Sequence, residues 1–566
     1  MMRAIDHLTI LPVLLPLATA AIIMLIEERR RTLKAGLNVG ATALLLVLSI
    51  ALLARSGMTG TETSVYRLGD WPAPFAIVLV ADRLSALMIL LTSVLGLATL
   101  LFSLARWHRA GAHFHSLFQI LLMGLNGAFL TGDLFNLFVF FEVMLAASFG
   151  LLLHGSGPAR IRAGLQYIAV NLTASMLFLL GVSLVYGVTG TLNMADLATR
   201  VPIIPPGDRT LLEAGAALLG LSFLIKAGMW PLCFWLPQAY SVASAPVAAV
   251  FVVTSKVGIY ILLRLSLLVF GPGSGAEGFG TQVLVVGGLA TIAFGAIGVL
   301  ASQAMGRIAS FSVIVSSGTL LAAIGLASPA VTAGALLYLV SSSLTLCAFF
   351  LLIELVERGR EPGADMLAVT AEAFGGDEDE EGVLHESEEV GTALPATVAF
   401  LGIGFFASAI LIAGLPPLSG FLAKFAILSG MMNSEGLGRG TPISVGAWCY
   451  LALLLFSGFS AILSMVRTGI RIFWVPQEGG PVQRVRVIEF TPIIALLALC
   501  VGMTVAGEPV MRFMRATADD IHSPRAYIET VLPQRAPAPA QGAETAPAPA
   551  FEPPAPAPAA GTGGTP

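Results

Sequence analysis

Residues 221–237, LSFLIKAGMWPLCFWLP, place a lysine inside an apolar helical stretch, and five residues after Lys226 the chain meets Pro231. A charged amine deep in a bilayer costs several kcal/mol unless it faces a polar interior or a partner. Proline removes a backbone donor and clashes with the preceding turn, so a helix breaks there. In lipid such a break survives only where protein buries it or water reaches it, and an ionisable group beside a broken helix marks an ion site. The pattern recurs downstream, where Pro416 and Pro417 precede Lys424. Two further ionisable groups lie within apolar runs. Lys256 sits in VFVVTSKVGIYILLRL, and Glu142 follows Asp133 by nine residues in DLFNLFVFFEVMLAASFG, about 14 Å along a helix. An acid and three lysines can pass a proton along a series. Lysine suits this because it shifts its protonation readily when buried, whereas arginine stays charged. As a close pair at 4 Å, Glu142 and Lys226 would attract by about 4 kcal/mol at an effective dielectric of 20. The competing reading of each group is purely structural, a buried acid matched to a buried base.

The elements that must hold these groups are membrane helices. The 566 residues are 56% hydrophobic and 11% charged, against about a quarter charged in soluble chains, and the mean hydropathy is +0.87. Apolar runs predict an all-α polytopic protein of about fourteen spans. These are 8–26, 37–54, 83–105, 114–131, 134–153, 163–187, 211–240, 246–270, 281–302, 308–327, 330–355, 396–433, 443–466 and 488–506, the seventh and twelfth being broken. The short run 72–80 reads as extended or re-entrant. Residues 8–26 lack a strong basic leader and a small-residue cleavage site, and read as a retained span. With alternating loops, fifteen Lys and Arg fall on one side and six on the other. The rich side is cytoplasmic, which puts both termini outside. Arg83, next to Asp82, reads as an interfacial pair, and Arg264, two turns past Lys256, as a snorkelling side chain. Cys233, Cys347, Cys449 and Cys500 lack metal-ligand spacing and read as core residues. No phosphate loop GxxxxGK[ST] marks an ATPase, and no basic patch with aromatics suggests nucleic acid.

Broken, lysine-bearing spans five apart imply an internal repeat, spans 4–8 matching spans 9–13. Five is odd, so the halves are inverted. The resulting division is 1–112 for the first helices, 113–270 and 281–466 for the two repeats, 467–510 for a loop and the last helix, and 511–566 for a Pro/Ala-rich tail. An acidic loop at 357–392 interrupts the second repeat. Loop and tail compositions are those of solvated, disordered chain.

The runs LMGLNGAFLTGDLFNLFVFFEVMLAASFGLLLHG, LIKAGMWPLCFWLPQAYSVASAPVAAVF, TSKVGIY and GLPPLSGFLAKFAIL resemble the antiporter-like subunits shared by complex I, membrane-bound hydrogenases and Mrp-type (Pha, Mnh) cation/proton antiporters. WPAPFAIVLVADRLSALM brings the chain nearest to the D-type subunits of the Mrp group. The resemblance covers about residues 5–510. It implies fourteen spans with two inverted repeats, and a proton path through Glu142, Lys226, Lys256 and Lys424, with breaks at Pro231, Pro416 and Pro417. It also implies a secondary transporter subunit rather than an enzyme, without cofactor or metal, in a bacterial plasma membrane. Its partners would be other Mrp membrane subunits, and its ions H⁺ and Na⁺, sometimes K⁺ or Li⁺. Relatives often carry a histidine in the eleventh span where this chain has Ser341, Ser342 and Ser343, which could hold water and relay protons. The alternatives are a redox-coupled pump subunit of complex I or a hydrogenase, and a non-transporting scaffold.

Overall fold

The computed structural model describes residues 6–58, 63–71, 77–358, 396–432, 443–473 and 485–532. The chain opens with α1 (Leu11–Leu25) and α2 (Arg31–Met58), then a two-stranded antiparallel pair, β1 (Ser64–Arg67) and β2 (Val78–Ala81), with Val65 opposite Val80. There follow α3 (Arg83–Ser103), α4 (Phe114–Leu130), α5 (Leu134–Leu152), α6 (Pro158–Thr189), α7 (Met194–Arg200), α8 (Pro206–Ala227), α9 (Trp235–Val242) and α10 (Ala245–Leu268). The second half holds α11 (Thr281–Ala301), α12 (Met305–Gly325), α13 (Pro329–Glu357), α14 (Ala396–Ala413), α15 (Ser419–Met432), α16 (Val445–Phe473) and α17 (Val487–Val505). It closes with α18 (Gly507–His522) and α19 (Arg525–Val531).

Eleven of the described helices are long and apolar enough to cross a membrane, and α1, α4, α14 and α15 are shorter apolar helices. The protein is an integral membrane protein of many spans. Local sequence explains where the helices begin. Asp82 caps α3 by accepting Ser85 N–H at 2.8 Å, and Asp133 caps α5 by accepting Asn136 N–H at 2.9 Å, each satisfying a donor the helix leaves open. Prolines stand in the first turns of α6, α8, α10 and α13, where no N–H is needed.

Burial identifies the axis. In the spanning windows of α10 and α13, 94% of residues are buried, and in α12 83%, against 28% in α2 and α17. The centre therefore consists of α10, α12 and α13 together with α3 and α4, which are also buried over most of their length, and the other helices surround them. Lys256 is on α10 and the serine run 341–343 on α13, so polar groups occupy the best-buried helices, opposite to what transfer energy alone favours.

Among the boundaries that differ from the sequence reading, three bear on the packing. Helix α2 starts six residues before the expected 37, because Lys34, 4% exposed, is held by Glu28 at 2.6 Å, and Asn38 is bonded to His115. Residues 78–81 form a strand against β1, while residues 72–76 lie outside the described residues. The tail drawn from 511 instead begins with helix, since α18 and α19 run to Val531. Val510, Met514, Ala518 and Ile521 repeat at helical spacing and pack inward, with α18 lying against α13. The amphipathic stretch was hidden by the Pro/Ala-rich composition that starts only at 535. That tail and the acidic loop beyond 358 fall outside the described residues.

Candidate functional site

Helix α8 ends at Ala227 because Gly228 takes φ +73°, a left-handed value only glycine adopts freely. Gly228 N–H donates to Ile225 O at 3.2 Å and Met229 N–H to Leu224 O at 3.0 Å, the paired bonds of a glycine helix stop. Pro231 follows through a cis peptide, and the chain resumes as α9 at Trp235. Trp230 N–H leaves the helix to reach Thr291 Oγ1 on α11 at 2.9 Å. Lys226 lies in the last turn of α8, 5% exposed, near the negative end of the helix dipole.

The Lys226 ammonium does not rest on Glu142. It donates to Asn171 Oδ1 at 3.5 Å and lies 4.9 Å above the Phe141 ring. Glu142 instead accepts a short hydrogen bond from Ser175 Oγ. Asn171 and Ser175 stand one turn apart on α6, and Ser175 Oγ is 3.1 Å from Asn171 O. The expected close pair is thus corrected to a pair bridged by α6. The reason is that Glu142 is half-buried on the side of α5 that bears the exposed Phe135 and Val139, whereas Lys226 points inward.

Lys256 stands one helix away. A Cβ on Gly258 would come within 2.6 Å of Phe223 O, so α8 and α10 touch backbone to backbone beside both lysines. Lys256 is fully buried, and its Nζ donates to Ser316 Oγ of α12 at 2.8 Å. Ser316 and Ser342 of α13 are bonded at 3.0 Å, and Ser341 bonds Ser419 of α15 at 2.8 Å. Ser316, Ser341 and Ser342 line a cavity of about 30 Å³ that also reaches Ser312, Thr345, Ile412 and Ser457. Ser343 donates to Leu339 O on its own helix at 2.7 Å and is not part of the lining.

Beyond the cavity lies the second break. Helix α14 stops at Ala413, followed by Gly414 with φ +75° and by the cis peptide Pro416–Pro417. In a continuing helix the carbonyls of Ile412 and Ala413 would accept from the N–H groups of residues 416 and 417. Both are prolines and have none. Lys424 supplies the missing donor, its Nζ reaching Ala413 O at 2.9 Å and Ile412 O at 3.4 Å. The double proline and the lysine therefore form one device, in which the breaks strip two carbonyls and the ammonium takes them.

Two basic residues outside this series differ from their sequence reading. Asp82 does not pair with Arg83. It pairs with Arg264 at 2.9 Å, and Arg264, 6% exposed, also donates to Tyr260 and Ser85. Arg83 reaches Asp520 on α18 at 2.8 Å. Arg264 is thus a buried structural cation rather than a snorkelling one, because α18 and the β2–α3 turn cover its end of α10. Sequence reasoning also missed Asn171, Ser175, Ser316 and Ser419. The first two carried a signal, polar residues four apart and so on one helix face in the mostly apolar run YIAVNLTASMLF.

Fold and site together define a polytopic helical membrane protein whose two interrupted helices hold lysines along a buried polar axis. Residues 131–438 match the family described as NADH:quinone oxidoreductase/Mrp antiporter, TM. The D-type component of a probable K⁺/H⁺ antiporter from Rhizobium meliloti (strain 1021) is 60% identical over 93% of this chain and 98% of that one. The D-type component of a Na⁺/H⁺ antiporter from Alkalihalophilus pseudofirmus is 34% identical over 93% and 99%. A chain in the structure of the Mrp complex from Dietzia sp. DQ12-45-1b superposes with a TM-score of 0.79 at 26% identity, covering 94% of this chain and all of that one. The chain belongs to the NADH:quinone oxidoreductase/Mrp antiporter family.

Proposed function

We propose that this protein is the D-type component of a multi-subunit monovalent cation/proton antiporter, a transporter rather than an enzyme. Protons pass along Glu142, Ser175, Asn171, Lys226, Lys256, Ser316, the cavity bordered by Ser341 and Ser342, Ser419 and Lys424. One observation carries this reading. Lys226, Lys256 and Lys424 are each held by neutral oxygens, whereas Arg264 is locked on a carboxylate. Breaking a buried ion pair leaves an uncompensated charge, so such a pair holds its proton in place. An ammonium on neutral acceptors can hand its proton on without breaking a contact ion pair.

The unit works with other membrane subunits of the assembly in a bacterial plasma membrane. Similarity to both K⁺/H⁺ and Na⁺/H⁺ antiporter components brings either cation within its range. The chain crosses fourteen times if α14 and α15 make one interrupted crossing, and the basic loops put both termini outside. Two inverted five-helix units, 113–270 and 281–466, follow 1–112 and precede 467–510. Ala227-Gly228-Met229-Trp230-Pro231 and Ala413-Gly414-Leu415-Pro416-Pro417 support that repeat, since each stops a helix on a glycine near φ +74° and places a proline three residues on. A redox-coupled pump or an inert scaffold would share the fold, but 60% identity along nearly the whole of an antiporter component favours neither.

The test is cation/proton exchange, followed by a pH-sensitive dye in everted vesicles carrying the assembled complex. Glu142→Gln keeps shape and removes charge, so exchange should collapse while a native gel shows intact assembly. Normal exchange in that complex would send the path elsewhere.

A further inference from the structure

The cavity between Lys256 and Lys424 has a property that proton relay does not require. A hydroxyl that relays a proton must donate on one side and accept on the other. Three of the lining hydroxyls have committed their hydrogens to their own helices: Ser312 to Ile308 O, Thr345 to Ser341 O and Ser457 to Leu454 O, each at 2.8 Å. They offer the cavity lone pairs only. Ile412, whose carbonyl lost its helical donor to Pro416, borders the same space. Its oxygen and that of Ala413 lie at the C-terminal, negative end of half-helix α14. Among the described residues no carboxylate lines the cavity, and the titratable groups around it are Lys256, Lys424, Tyr338 and, behind Thr345, Cys500. Oxygens that can only accept, gathered at a helix break, are the ligand set of a hard cation. Carbonyl and hydroxyl dipoles can replace the hydration shell of an alkali ion without a full negative charge.

We propose that this cavity binds a largely dehydrated monovalent alkali cation, held by Ser312, Thr345, Ser457 and the Ile412 carbonyl, in exchange with the ammonium of Lys424. The volume of about 30 Å³ accommodates two or three water-sized spheres at roughly 10–15 Å³ each, room for the ion and a water. The Lys424 ammonium, close to K⁺ in size and charge, already sits on the Ala413 and Ile412 carbonyls. A cation entering the cavity claims the Ile412 oxygen and repels that ammonium, so the site holds either the ion or the charged lysine. One proton leaves Lys424 as one cation arrives, and the buried charge is unchanged. This rests on the antiporter reading above and assigns the place where the two ions compete.

The experiment measures exchange by the assembled complex against Na⁺ and K⁺ concentration in everted vesicles. Ser312→Ala combined with Ser457→Ala removes two ligands and leaves the Ser316–Ser342 and Ser341–Ser419 contacts intact. The half-saturating cation concentration should rise about tenfold. Ser457→Thr keeps the oxygen and adds a methyl group to a confined cavity, so it should shift preference toward the smaller Na⁺ by about threefold or more. The threonine variant also carries the test where the double variant fails to assemble. Half-saturation and the Na⁺/K⁺ ratio within about twofold of the parent, in a complex that still exchanges, overturn the cation site and leave the proton path standing. If instead Lys424→Ala leaves exchange intact, it is the proton-path reading that fails.

Discussion

Lys424 offers the sharpest test, because its role follows from a count of backbone donors. Lys424→Ala withdraws the donor from Ala413 O and Ile412 O, which Pro416 and Pro417 cannot satisfy. A buried unpaired acceptor costs about 1–3 kcal/mol. The Ile412 contact is the weaker of the two, at 3.4 Å against 2.9 Å, so the net loss of stability should be that of one carbonyl, about 1–3 kcal/mol. That is too little to prevent assembly. Exchange should suffer more, because the proposed path loses its proton acceptor. A fall of about tenfold or more corresponds to only about 1.4 kcal/mol of added barrier. Lys424→Arg should not restore it. Arginine keeps its proton, and the site is tight, with the Lys424 side chain packed where even a Cβ on Gly414 would approach within 2.6 Å. The assay is dye-monitored exchange in everted vesicles, normalised to complex on a native gel and accompanied by thermal melting of the purified complex. Exchange within about twofold of the parent in an assembled Lys424→Ala complex would refute the reasoning.

Other outcomes follow from the same geometry. Glu142→Asp should keep part of the exchange that Glu142→Gln loses, because the shorter carboxylate reaches Ser175 less well; equal rates for both variants would count against the bridged pair. Asn171→Leu removes the acceptor of the Lys226 ammonium, a long contact at 3.5 Å worth about 1 kcal/mol, and should slow exchange severalfold with assembly intact. Asp82→Asn strands the buried Arg264, a defect of about 3–5 kcal/mol, so the complex should melt earlier while exchange per assembled complex is retained. Burial holds His108, His154 and His522 below the usual histidine range. Their neutral forms are favoured in the fold, so the stability they allow is complete above the unfolded value of about 6.5 and declines as pH falls below it. Melting temperatures of the purified complex should drop through that window, and less steeply in a His108→Gln, His154→Gln variant.

Much of the candidate site was legible along the chain because it consists of exceptions to an apolar background. Lys226, Lys256, Lys424 and Glu142 stand out where charge is costly, and Pro231, Pro416 and Pro417 mark breaks through local backbone chemistry, so neither needs a partner to be recognised. The helix stops at Gly228 and Gly414 are local in the same sense. What the tertiary structure decided is which groups meet. Lys226 reaches Asn171 rather than Glu142 because Glu142 lies on the outward face of α5 while Lys226 points inward, and Asp82 pairs with Arg264, 182 residues away, rather than with its neighbour Arg83. Single serines are too common in membrane helices to announce a site; Ser316 and Ser419 joined the run at Ser341 and Ser342 only when α12, α13 and α15 converged, while Ser343, next in that run, turned back on its own helix. Periodicity and composition are sums over neighbours in sequence, and they report burial and breaks. Hydrogen-bond partners depend on distances of a few tenths of an ångström between segments far apart in the chain, which only packing sets.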